Sequence, residues 1–140
     1  TRSCLEHYNK LVDKELAATL NNEELAPWAA IEKYFDVTVL ATTNKRRSMG
    51  CLLVNSFCES INYNKDIQKL VKAYYSNIRK ALLKRLKDAE KAGELNKSAN
   101  AELATDVLMN ALSGLRVHSR EGKPAKQLGE IIKFTISSLR

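Results

Sequence analysis

Residues 100–120 read NAELATDVLMNALSGLRVHSR, and the spacing of their apolar members decides the fold. Leu103, Ala104, Val107, Leu108, Ala111, Leu112, Gly114 and Leu115 recur every three or four residues, the period of an α-helix. They fill about half of the circumference, more than the ~100° stripe with which a helix covers one core. Met109 and Val117 add apolar surface outside that arc. Such a helix needs neighbours on two sides. Either it is central in a monomer, or a second copy of the chain covers part of it, two-fold pairing being the commonest arrangement of that kind.

The same period continues outward in both directions. After Gly122, Pro124 opens a sixth helix with Leu128, Ile131, Ile132, Thr135, Ile136 and Leu139 on one face, while Phe134 points elsewhere and asks for its own partner. Upstream, about Asp66 to Ala92 forms the longest segment and stops at Gly93, a residue suited to a left-handed helix end. Its apolar arc holds Ile67, Leu70, Val71, Tyr74, Tyr75, Ile78, Ala81, Leu82, Leu86 and Ala89. A first helix spans roughly Cys4 to Leu20. The second starts at Pro27 and carries Trp28, Ile31, Phe35, Val39 and Thr42 in one row. A short third helix is expected near Met49 to Ser60, behind the basic loop 43–48. The reading is all-α: a bundle of about six helices with no convincing strand.

Composition agrees. The 140 residues are 44% apolar and 28% charged, ordinary for one soluble domain, so residues 1–140 read as a single unit. Five Gly and two Pro are too few for a turn-rich β fold. No stretch approaches the ~20 apolar residues of a membrane span. Three Cys without metal-type spacing indicate neither a disulfide framework nor a zinc site, which points to a cytoplasmic setting, and no cofactor is implied. The net charge of +7 lies wholly beyond Lys65, densest at Lys69, Lys72, Arg79, Lys80, Lys84, Arg85, Lys87 and Lys91. Seven of these eight lie opposite the apolar arc and read as a solvated face, without aromatic interleaving or a groove-reading motif.

Two polar residues fall on apolar faces. Arg85 sits near the middle of the long helix's buried arc. There it either anchors an anionic ligand, brings its head out near a helix end, or pairs with an internal carboxylate. His118 falls in the apolar arc of the fifth helix, as a structural histidine at a seam or as a ligand contact or pH switch. The two histidines, His7 and His118, are far apart in sequence, and no phosphate-cradling Gly-rich loop or metal cluster appears, so no enzyme is indicated.

The run Met49-Gly50-Cys51-Leu52-Leu53-Val54-Asn55, the long basic helix and its end Lys91-Ala92-Gly93-Glu94-Leu95 resemble the C-terminal domain of tetracycline-repressor (TetR) family transcription regulators. Asn110-Ala111-Leu112-Ser113-Gly114-Leu115-Arg116-Val117, then Arg120-Glu121-Gly122 and a final amphipathic helix, are similar to that family's last two helices. The resemblance covers nearly the whole chain. It implies an N-terminal helix-turn-helix domain that these residues do not contain, with Cys4 to Leu20 as the helix following it. On that reading this chain is the effector-binding and dimerisation part, and operator DNA is met only through the missing domain.

The resemblance implies a homodimer in which the last two helices of each copy form a four-helix bundle. The residues expected at that seam are Leu108, Ala111, Leu112, Leu115, His118, Ile131, Ile132, Phe134, Thr135 and Ile136. It also implies an unidentified small-molecule effector that releases a repressor from DNA, held inside the bundle. Tyr8, Trp28, Ile31, Phe35, Phe57, Tyr74, Ile78, Arg85 and Met109 are the expected lining, against the plainer reading of most of them as ordinary core. Cys51 is a candidate redox or electrophile sensor, with Arg46 and Arg47 nearby to favour its thiolate, or else a buried small hydrophobe. The other functional class left open is a helical protein-interaction adaptor without a pocket, whose signal is the same excess of apolar surface.

Overall fold

The computed structural model describes residues 2–40 and 65–140, with residues 2–9 and Ile67 as backbone only. Five α-helices occur in it: α1 (Arg2–Ala18), α2 (Pro27–Phe35), α3 (Lys65–Lys91), α4 (Ala101–Arg120) and α5 (Ala125–Leu139). No strand is present among the described residues. The short helix expected at 49–60 lies outside them.

The ends of these helices are set by local chemistry. Gly93 and Gly122, at φ +73 and +91, take the left-handed conformation just after α3 and α4. Glu94 N then donates to Ala89 O at 2.8 Å and Gly93 N to Glu90 O at 3.1 Å, closing the paired bonds of a Schellman end. Lys123 N to His118 O and Gly122 N to Ser119 O repeat the motif on α4. At the other end of α4, the Asn100 side chain accepts from Leu103 N at 2.8 Å. Pro27 occupies the first turn of α2, where its missing N–H costs nothing. One difference from the sequence reading appears here. The row Trp28–Val39 is not one regular helix, because α2 widens into a π-helical turn over Asp36–Leu40.

Helix α3 is the axis of the bundle. It packs against α1, α2 and α4, while α5 packs on α4 and on the π turn. Val71, Tyr74, Ile78, Ala81, Leu82, Leu86 and Ala89 are its buried apolar residues, as the apolar arc implied. From α4, Ala101, Ala104, Thr105, Leu108, Leu112 and Leu115 are buried, and Leu128, Ile132, Ile136 and Leu139 from α5. The row that α4 buries is therefore narrower than its apolar arc. The remainder of that arc faces outward or is half covered.

The connections are fastened as well. Asn96, in the α3–α4 turn, donates its backbone N–H to Leu139 O at 2.8 Å and its side-chain amide to Ser138 O at 3.2 Å. These bonds satisfy carbonyls that the C-terminus of α5 leaves without helical partners. The indole Nε1 of Trp28 donates to Glu94 O at 2.7 Å, tying the start of α2 to the same turn.

Candidate functional site

Arg85 is buried, at 6% exposure, and its guanidinium is committed to main chain. Nε donates to Leu20 O at 2.6 Å, Nη1 to Leu25 O at 3.0 Å, and Nη2 to Asn22 O. All three acceptors lie in the α1–α2 connection, whose carbonyls have no helical partners. A guanidinium spent on three carbonyls is a clamp between the end of α1 and α3. It neither reaches solvent nor pairs with an internal carboxylate in these bonds.

The expected effector lining is divided along the bundle. Trp28, Ile31, Phe35, Tyr74 and Ile78 all belong to one continuous core, with Met109 packed against it. Trp28, however, sits at the Glu94 end of α3, and Tyr74 lies seventeen positions before the helix ends at Lys91, ~26 Å along the axis at 1.5 Å per residue. The two residues therefore stand toward opposite ends of the same core. The reason is topological: α2 begins where α3 ends. The side chain of Tyr8 and the whole of Phe57 and Cys51 lie outside the described residues.

Tyr74 marks a second kind of environment. The Arg116 guanidinium lies over its ring, 5.3 Å from the centroid, and Tyr75 meets it edge-on at 4.8 Å. Tyr74 Oη, Arg116 Nη1, Ser119 Oγ, Glu15 Oε2 and Tyr34 Oη are all shielded from solvent. Polar atoms are therefore enclosed on α1, α2, α3 and α4, beside a core built mainly of apolar side chains. Arg116 was missed as a site residue. Its place on the shoulder of the α4 apolar arc, beside Leu112 and Leu115, was the available signal.

Between the π turn and α5 runs a half-open crevice of about 260 Å³, floored by Leu40, Ile132 and Ile136 and bordered by Glu32, Asp36 and Lys133. A shallower hollow of about 360 Å³ surrounds Ile131 and Phe134. Neither includes Trp28, Ile31, Phe35, Tyr74, Ile78 or Met109.

The seam residues also divide. Leu108, Leu112, Leu115, Ile132 and Ile136 are buried within the chain's own core. They have almost no surface left exposed on the single chain. Ala111 and Thr135 are half-buried, Ile131 is exposed, and Phe134 is 78% exposed. His118 is exposed rather than central in a buried arc, with Nδ1 3.4 Å from Glu121 Oε1. Leu103 and Val117, which the seam reading omitted, are exposed as well. Helical spacing sets Leu103, Gly114 and Val117 away from the buried row of α4, as it sets Ile131 and Phe134 away from that of α5.

The described residues thus define an all-α bundle that keeps polar groups inside and leaves apolar surface on its last two helices. They contain no cluster of ligating side chains that could hold a metal, and no helix among them is long and apolar enough to cross a membrane. The family model for the tetracyclin repressor-like C-terminal domain matches residues 27–132, and the chain belongs to that family, whose members are regulators rather than enzymes. No curated protein and no solved structure matches it.

Proposed function

We propose that this chain is the effector-binding and dimerisation domain of a cytoplasmic transcriptional repressor, released from operator DNA by a small-molecule ligand. DNA is read by an N-terminal helix-turn-helix domain joined ahead of α1. Two copies pair through α4 and α5. The observation that carries this reading is the outward apolar surface of Leu103, Val117, Ile131 and Phe134 on the last two helices of a chain in this family. Exposed apolar surface concentrated on one helix pair is the usual mark of an interface.

The effector enters the bundle beside Tyr74 and Arg116, which hold polar groups inside. Aromatic walls with a few polar anchors are what orient a small ligand in an apolar site. Release from DNA requires the ligand to bind the DNA-incompetent arrangement of the dimer more tightly than the competent one, since only differential affinity shifts the population. Helix α1 is the mechanical link, because it leads toward the DNA-reading domain and is pinned to α3 at its other end by Arg85.

Sedimentation equilibrium tests the reading. Wild type is expected at twice 15.7 kDa. Phe134→Glu is expected at the single-chain mass with its helical content intact. A wild-type particle of single-chain mass at ~100 μM, far above the Kd of a standard dimer, overturns the dimer and favours the adaptor.

A further inference from the structure

The basic residues of α3 do not all behave alike. Arg85 is buried in its carbonyl clamp. Arg79 Nη2 reaches Asp106 Oδ1 on α4 at 3.1 Å, and Lys84 Nζ lies 3.6 Å from Glu23 Oε1 in the α1–α2 connection. That leaves Lys65, Lys69, Lys72, Lys80, Lys87 and Lys91, all exposed, with no carboxylate among the described residues within ion-pair distance. At ~100° per residue these six share roughly a 100° arc opposite the buried row, and they extend along ~39 Å of helix. Between Lys69 and Lys87 the helix has no acidic residue.

We propose that this lysine row binds the phosphate backbone of duplex DNA without reading its sequence. A line of ammonium groups complements a line of phosphates, and release of condensed counterions supplies the binding energy. The row is too narrow to suit an anionic membrane. Glu23 borders it on one side and Asp106 on the other, both well exposed, so a flat negative surface would meet them together with the lysines. The exposed large apolar residues that a membrane-surface helix would insert lie elsewhere, on α1, α4 and α5. The choice of DNA over RNA rests on the regulator reading above; the phosphate chemistry does not. In a regulator already held at its operator, such a row adds a weak second hold on flanking duplex.

The test uses this 140-residue chain and a labelled random-sequence duplex of about 25 base pairs, followed by anisotropy from ~25 to ~200 mM salt. Binding is expected at low salt, with log K falling against log salt at a slope of about −4 for the four central lysines. Lys72→Glu/Lys80→Glu/Lys87→Glu is expected to lose at least ~100-fold in affinity. Lys97→Glu/Lys126→Glu/Lys133→Glu, with the same change in net charge, stays within about threefold where the Debye length is ~10 Å. Amine-reactive labelling of the unaltered protein is expected to show DNA protecting Lys69, Lys72, Lys80 and Lys87, which tests the row even where a variant folds poorly. No binding at low salt, equal losses in the two triple variants, or tighter row-dependent binding to phosphatidylserine vesicles would each overturn the proposal. Dimerisation, read separately by sedimentation, is untouched by any of these outcomes.

Discussion

Arg85 Nε and Leu20 O, sixty-five residues apart in sequence, are joined by a 2.6 Å hydrogen bond that fixes the end of α1 to the middle of the bundle. The same guanidinium holds Asn22 O and Leu25 O. Arg85→Met keeps most of the apolar stem and removes every donor. We expect a loss of about 2–4 kcal/mol in urea unfolding, because bonds to a charged donor are stronger than neutral ones and the Leu20 and Leu25 carbonyls lose their donor, while Asn22 O keeps Leu25 N. Arg85→Lys, with one compact ammonium, should recover less than half of that. A change within ~0.5 kcal/mol for Arg85→Met would show that the clamp does not hold the fold.

Glycines separate cleanly by conformation. A Cβ at Gly129, within α5, would lie 3.6 Å from a Leu40 methyl, an ordinary contact. Gly129→Ala is therefore expected to stabilise by about 0.5–1 kcal/mol, since alanine is the better helix former. At Gly93, space is open but φ is +73, and Gly93→Ala should destabilise by ~1–2 kcal/mol. Thermal melts of the two variants should move in opposite directions.

Trp28 is the only tryptophan, and its indole N–H is bonded to Glu94 O while the Arg140 guanidinium lies 5.6 Å from its ring centroid. Trp28→Phe preserves an aromatic body and forfeits the donor. The expected cost is about 1–2 kcal/mol, followed by circular dichroism because the fluorescent reporter is gone.

Arg116→Met tests the enclosed polar end. It should weaken the fold by about 1 kcal/mol through loss of the contact with Tyr74. In a thermal-shift screen, any compound that stabilises wild type should lose that effect on this variant, while the sedimenting mass stays that of wild type. A compound that stabilises both equally places the effector elsewhere.

Much of the architecture was legible in the periodicity. The apolar arc of α3, the stops at Gly93 and Gly122 and the start at Pro27 all follow from local preferences, which act within a few residues and survive in any context. The site was legible only in part. Arg85 was visible as a charged residue on an apolar face, but its partners come from a connection sixty residues upstream. Arg116 and Tyr74 sit on different helices, and only antiparallel packing of α3 and α4 brings them face to face. The π turn at Asp36–Leu40 has no clear mark in its residues.

By itself, the order of residues determined that this chain is helical, where most of its helices stop and which side of each is apolar, because those properties depend on neighbours three or four positions away. Which apolar residues the chain consumes in its own core and which it leaves outside was decided by the packing of α4 between α3 and α5. Leu103 and Leu112 lie on the same apolar arc when read along the sequence, yet the first is exposed and the second buried. Burial depends on the angle at which neighbouring helices approach, and that angle exists only once the bundle has closed.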